Sequence, residues 1–356
     1  MKVALIADDF SVETGTGIAR YAKELLTGLS NKVIYVKPIC VEPPKVPFGG
    51  TINHTFRLPY HVLKETNNFD LLHATSPASA FSFPLIKKAK KVVTYHDLTS
   101  FLCKEADFPL HARLFNPFVY KNLAKYSDKV IAVSTQTKED LVSHLKIPIE
   151  KIAVVNLGVD ERFKPAEKEE RDYFVIGYLG ALAARKRVDY LIRAFQYLKK
   201  KHAEFEIKLC ICRKKTQDYS KLVKLAKDLN LKLDKDIEFR GFVQEENLME
   251  VYNSFDVFVL PSEWEGFGIP VLEAQRCGVP VIIREDAHIP PEVTKCCVKA
   301  KSEEDMARKI YELLTDSSLR DDIIKKGFEY SKQFTWEKTV NETIKVYEEV
   351  LRNGVP

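Results

Sequence analysis

Short apolar runs recur along the chain at intervals, separated by stretches in which apolar residues return every three or four positions. In the first half the runs predict strands over 2–8, 33–40, 69–74, 91–96, 129–134 and 152–156. In the second half they predict strands over 174–180, 206–212, 237–241, 257–260, 279–283 and 296–299. The spacing between them predicts helices such as Ile18–Leu29, Val188–His202 and Tyr219–Leu229. Strands that alternate with helices imply parallel sheets, wound right-handed with helices on both faces. The stretch Asp160–Asp172 is charged, contains Pro165 and lacks an apolar period, so it reads as a joint between two α/β halves. The 356 residues suffice for two sizeable cores. The expected domains are 1–165 and 166–335, both doubly wound and Rossmann-like, followed by a helix over 336–356.

Composition narrows the class. Apolar content of 45% and charged content of 29% describe an ordinary globular chain. No window approaches the roughly 18 uninterrupted apolar residues of a membrane span. The run Val3–Ala7 is short and followed at once by Asp8, so it reads as a first strand, not a signal peptide, and a cytoplasmic location is expected. The seven cysteines include no zinc-type CxxC pair; buried free thiols are expected, with Cys210 and Cys212 on one strand face. Residues 1–165 carry 22 Lys+Arg against 16 Asp+Glu, or +6, while the remainder carries 33 against 34, or −1. That basic half suits simple solubility, an acidic acceptor or an anionic membrane surface.

Ligands in doubly wound sheets bind outside the carboxyl ends of strands, so the loops that follow strands carry the candidate chemistry. Gly15-Thr16-Gly17 opens a helix after the first strand; Arg20 stands where a dinucleotide fingerprint needs its third glycine. His96-Asp97 ends the fourth strand, where a histidine either touches substrate or bonds the backbone. Arg185-Lys186-Arg187 precedes the helix from Val188. Three cations at a helix N-terminus oppose its dipole, at roughly 0.3–1 kcal/mol each. Solvent would tolerate them; a bound diphosphate would turn the cost into a gain. Pro261–Pro280, PSEWEGFGIPVLEAQRCGVP, reads as strand end, Gly-rich loop and helix. It places Glu265 beside Gly266, Phe267 and Gly268, and Glu273 among Val271, Leu272 and Ala274, where a carboxylate needs a partner. Ribose hydroxyls would supply one.

These pieces, in this order, resemble the retaining GT-B glycosyltransferases of family 4, which include mannosyltransferases. The match covers nearly the whole chain: Gly15–Tyr21, Tyr95–Thr99, Val133–Thr137, Asn156–Asp160, Leu179–Arg187, Phe239–Val243 and the E-x7-E segment Glu265–Glu273. The resemblance implies a GT-B fold, two Rossmann-like domains facing across a cleft, with the last helix crossing back to the first domain. Glu265 would then face the donor sugar near its anomeric carbon, and Gly266, Phe267 and Gly268 would offer amides to hydroxyls and phosphate. Glu273 would bind the ribose diol, Arg185 and Lys186 the diphosphate, and His96 the sugar. Gly15 and Gly17 would line the site beside acceptor and phosphate. Ala19 and Ala181 depart from the common pattern, where a glycine and a Thr or Arg are usual.

The implied reaction moves a hexose from a nucleoside-diphosphate sugar to a hydroxyl of a glycan or lipid-linked acceptor, with retention and without a metal or other cofactor. Tyr95–Thr99 resembles users of GDP-mannose, with UDP-sugars close behind. An epimerase, a phosphorylase or a non-catalytic sugar-nucleotide-binding partner remain alternatives; nucleic acid is not an expected partner. The acceptor is assigned to loops such as Ser76–Phe83 and Ser100–Pro117. In and just after the latter, Phe101, Phe108, Phe115 and Phe118 are expected chiefly as core, a lipid-facing patch or sugar platform being the alternatives.

Overall fold

A computed structural model describes residues 1–11, 17–32, 34–46, 49–65, 68–103, 110–167, 170–212 and 218–352. The chain forms two compact units. The first comprises Met1–Leu102, Phe108–Gly158 and Thr335–Pro356, and the second centres on Val159–Phe334.

The first unit is built on strands β1 (Lys2–Ile6), β2 (Tyr35–Ile39), β3 (Leu71–Ala74), β4 (Lys90–Tyr95), β5 (Lys129–Ala132) and β6 (Ile152–Val154). They form one parallel sheet in the order β2-β1-β3-β4-β5-β6. Helices α1 (Gly17–Ser30), α2 (Leu58–Glu65), α3 (Leu110–Tyr126) and α4 (Thr135–Leu145) accompany it. Helix α1 buries Ala19, Ala22, Leu25 and Leu29, one stripe at helical spacing. Ser134 starts α4 by accepting a hydrogen bond from the Thr137 amide, 3.0 Å away.

The second unit repeats the plan. Strands β7 (Phe174–Leu179), β8 (Ile207–Cys212), β9 (Ile237–Gly241), β10 (Val257–Leu260), β11 (Val281–Arg284) and β12 (Val298–Ala300) pair in parallel. Their order is β9-β8-β7-β10-β11-β12, the Rossmann sequence of strands. Helices α5 (Val188–Lys201), α6 (Tyr219–Asp228), α7 (Ile269–Arg276), α8 (Glu303–Thr315) and α9 (Ser317–Ser331) complete it. Gly177 in β7 lies against Phe255, whose ring fills the space a side chain would need.

The last helix, α10 (Trp336–Arg352), packs within the first unit against α1 and β4. The Thr339 hydroxyl donates to the Asn156 carbonyl at 2.8 Å, and Lys129 pairs with Glu349 at 2.6 Å. A side chain at Gly158 would fall on the Thr335–Trp336 backbone, so only glycine admits this crossing. The division between units lies at Gly158/Val159, slightly before the joint expected over 160–172. The cause is packing. The Val159 amide donates to the Phe334 carbonyl at 3.1 Å, and buried Phe163 meets Tyr252 edge to face, which ties these residues to the second unit.

All twelve expected strands form, most of them trimmed by one to three residues at their ends. Among the described residues no helix is long and apolar enough to cross a membrane. All seven cysteines are free, and Cys40 is exposed where burial was expected. Cys210 and Cys212 do share a face, their sulfurs 3.6 Å apart. Phe115 and Phe118 overturn the core expectation: both are exposed on α3, while Phe101 packs partly buried on the core and Phe108 lies outside the described residues.

Candidate functional site

In the second unit the strand order reverses between β7 and β10, since β8 and β9 build outward on one side and β11 and β12 on the other. Side-chain-rich loops at such a switch point form the ligand crevice of a doubly wound sheet. The loop after β7 carries Arg185 and Lys186 in a 3-10 turn; the loop after β10 carries Glu263 to Gly268. Parallel pairing of β7 with β10 brings the two loops side by side.

The backbone stitches them together. The Glu263 amide donates to the Arg185 carbonyl at 2.9 Å, the His288 amide to the Glu263 carbonyl at 2.8 Å, and the Glu265 amide to the His288 carbonyl at 3.0 Å. The loop after β11 thus joins the other two, and the Trp264 ring lies over the His288 ring with centroids 3.6 Å apart. Sequence reasoning missed His288, although the rule that picked out His96, a residue following a strand's carboxyl end, applied to it equally.

Lys186 reaches across to bond Glu265, and Arg185 holds a second position 4.0 Å from the same carboxylate while donating to the Trp264 carbonyl at 3.0 Å. Burial alone would raise the Glu265 pKa, but the charges of Lys186 and Arg185 outweigh it and hold the carboxyl below its ordinary value. One carboxylate faces two cations, Lys186 and Arg185, at the switch point. Arg187 pairs outward with Asp189 at 3.3 Å and Glu263 at 3.8 Å, so the three cations are not equivalent. Neither α5 nor α7 begins with a side-chain cap. Gly268, the residue before α7, has φ of +97°, a conformation side-chain-bearing residues rarely adopt. Uncapped helix starts leave backbone amides without intrahelical partners beside Arg185 and Lys186, an arrangement that suits an anion.

Glu273 lies inside α7, 2% exposed, and its partner is already part of the fold: the Tyr252 hydroxyl donates to it at 2.7 Å. The carboxylate thus has a partner within the fold before any ribose is bound; Tyr252, on the short helix Leu248–Asn253, was not singled out from sequence. Phe267 is buried against Phe334, so this residue can offer its backbone while its ring anchors the loop.

His96 and Gly17 belong to the first unit. His96 follows β4, and its Nε2–H donates to the Thr75 carbonyl at 2.9 Å. Burial lowers its pKa, only partly offset by that bond and by the charges of Asp97 and Asp8. Tyr21 of α1 presents its edge to the ring, with centroids 5.1 Å apart. The His96 carbonyl accepts from the Thr137 hydroxyl at 3.2 Å. Gly17 begins α1 with open space around its missing side chain. Gly15 lies outside the described residues.

Two family models match the chain: the Glycosyltransferase Family 4 model over residues 15–163 and the Glycosyl transferases group 1 model over residues 159–330. The chain belongs to the family 4 glycosyltransferases. The O-antigen chain mannosyltransferase B of Escherichia coli is 25% identical to this glycosyltransferase over 272 residues, 72% of this chain and 70% of that one. The serotype-specific mannosyltransferase WbdA of Escherichia coli is 24% identical over 281 residues, 74% of this chain but 34% of WbdA, so the glycosyltransferase spans only a third of that relative. An uncharacterized glycosyltransferase of Methanocaldococcus jannaschii is 29% identical over 299 residues, 80% of this chain and 77% of that one. Two solved structures share the fold. Sucrose-phosphate synthase from Thermosynechococcus elongatus superposes with a TM-score of 0.81 at 18% identity, over 99% of this chain and 100% of that one. Anabaena HepE in complex with UDP-glucose gives 0.77 at 17%, over 98% and 100%. The fold is GT-B.

Proposed function

We propose that this glycosyltransferase moves a hexose from a nucleoside-diphosphate sugar to a hydroxyl of a glycan or lipid-linked acceptor, with retention at the anomeric carbon and no metal. The observation that carries the reading is the Arg185–Lys186–Glu265 group at the β7/β10 switch point. A buried ion pair is a poor stabilising device, because desolvation consumes most of its Coulombic gain. Two cations sharing one carboxylate beside uncapped helix starts suit a diphosphate instead.

In this reading the diphosphate draws Lys186 away from Glu265 and takes Arg185 as its second cation. Amides of Gly266, Phe267 and Gly268 meet phosphate and sugar hydroxyls, and Glu273, oriented by Tyr252, takes the ribose diol. Glu265 then faces the anomeric carbon. The anomeric carbon–phosphate oxygen bond breaks, the acceptor oxygen bonds the same face, and its proton passes to the departing phosphate. Arg185 and Lys186 stabilise the charge that develops there, the kind of term that carries most of catalysis. A GDP-mannose donor is favoured over a UDP-sugar, on the strength of the two mannosyltransferase relatives. Association with a membrane, where it occurs, is peripheral.

Thermal-shift titration with GDP-mannose, UDP-glucose and ADP-glucose tests the donor. At one common concentration the donor with the lowest Kd stabilises most, by roughly 2.7 kcal/mol at about 100 times its Kd, so GDP-mannose should give the largest rise in Tm. A larger shift with UDP-glucose would replace the donor, and no shift with any of the three would sink the reading. The anomeric coupling constant of the glycoside product decides retention.

A further inference from the structure

Ser262 stands between the end of β10 and the acidic loop, and it is wholly buried. Its hydroxyl makes no hydrogen bond of good geometry among the described residues. A buried hydroxyl without a partner is costly, and native folds hold few of them.

The backbone fixes where this side chain meets Glu265. The Glu263 amide is held by the Arg185 carbonyl and the Glu265 amide by the His288 carbonyl, so the segment between Ser262 and Glu265 is pinned to both neighbouring loops. The hydroxyl is close enough to act on the carboxylate. Burial raises the Glu265 pKa, the charges of Lys186 and Arg185 lead the opposing effects, and Ser262 adds the smallest share.

One exchange accounts for both observations. In this structure Lys186 engages the carboxylate. In the sugar-transfer reading a diphosphate draws Lys186 away, and Glu265 keeps Arg185, 4.0 Å off, as its remaining cation. A buried carboxylate deprived of its partner takes up a proton or swings out. A hydroxyl proton rotates to suit its acceptor. Ser262 can therefore donate to the oxygen that Lys186 gives up, and a bond to an ionised acceptor is stronger than a neutral one.

We propose that Ser262 is a positioning residue, whose hydroxyl takes over the Glu265 carboxylate when the diphosphate takes Lys186 and holds it in place for the chemical step. The proposal rests on the sugar-transfer reading for the anion that moves Lys186; the exchange of partners itself is measured without any nucleotide.

Lys186→Ala imitates the exchange. In NMR of labelled glutamate, Ser262→Ala should raise the Glu265 titration by about one pH unit in the Lys186→Ala background, the scale of a hydrogen bond to a charged group, and by clearly less where Lys186 is present. Turnover is read as GDP released from GDP-mannose. Ser262→Ala should lower kcat roughly tenfold and move its acid limb upward by about one pH unit, with KM and Tm unchanged, because the hydroxyl bonds nothing before the exchange. Ser262→Cys, which supplies only a weak donor, should follow alanine. Equal titration shifts in the two backgrounds, or none in either, would overturn the proposal. So would wild-type kcat in Ser262→Ala, or a kcat that falls together with Tm, since the hydroxyl would then serve the fold. No GDP release by the wild type would count against the sugar-transfer reading, and the two NMR backgrounds would still decide Ser262.

Discussion

The hydroxyl of Tyr347, on the last helix, lies 2.6 Å from Nδ1 of His73, a residue 274 positions earlier in the chain. His73 continues the contact through Nε2 to Thr94 at 2.8 Å, and Thr94 to Tyr21 at 3.0 Å. All four side chains are buried, so the chain of bonds ties α10 to β3, β4 and α1 within the first unit. Tyr347→Phe would leave a buried ring nitrogen without its partner. The expected loss is about 1–3 kcal/mol, read as a lower midpoint in urea with unchanged slope.

The same histidine makes stability depend on pH. Burial, with a smaller contribution from the neighbouring His96, depresses its pKa to about 3. The unfolded chain takes up the proton near the ordinary 6.5, whereas the folded protein resists it. The stabilisation is therefore complete above about pH 6.5 and is lost progressively as pH falls toward 3. His73→Gln should flatten that part of the profile in equilibrium unfolding; an unchanged slope would refute the assignment.

Lys186→Ala should lower turnover roughly 10²-fold or more, the scale for losing an electrostatic stabiliser of the leaving group. Near-normal turnover would remove Lys186 from the diphosphate site. The variant also leaves Glu265 with Arg185 as its remaining cation, 4.0 Å away, so the Glu265 carboxyl should titrate higher than in the wild type, a shift that NMR of a labelled glutamate would register.

Glu265→Gln separates charge from shape. Removing the carboxylate frees Lys186 from its partner without changing volume, so calorimetry should show the nucleoside diphosphate binding several-fold more tightly. Turnover should fall, because the group assigned to the anomeric carbon has lost its charge. Weaker binding would mean that Glu265 is part of the anion site and not its competitor.

Glu273→Ala should weaken nucleoside-diphosphate binding more than it slows the chemical step. Tyr252→Phe, which removes the 2.7 Å hydrogen bond but keeps the carboxylate, should do the same to a smaller degree. An unchanged binding constant in both variants would show that the Glu273–Tyr252 pair serves the packing of α7 and not the ribose.

The alternation of apolar runs and helical spacing located all twelve strands, because each strand's burial is written into its own residues. The loops that follow β7 and β10 were legible for the same reason: clustered cations and a Gly-rich acidic segment stand out against the apolar runs before them. Glu273 shows the limit. Its burial could be read from Val271, Leu272 and Ala274 beside it, but the hydroxyl that satisfies it comes from Tyr252, a residue 21 positions away on another element. Phe115 and Phe118 were misplaced because four phenylalanines in one region look the same in sequence whether the helix turns them inward or outward.

Residues alone determined which segments form strands and helices, to within a few residues at their ends, which loops carry charge, and that the sheets are parallel. Tertiary structure decided which strands are neighbours. Backbone hydrogen bonds between parallel strands are chemically alike whatever the side chains, so no local pattern states that β7 lies beside β10. That one adjacency brings Lys186 to Glu265 across 79 residues of chain, and turns two separately legible loops into a single charged site.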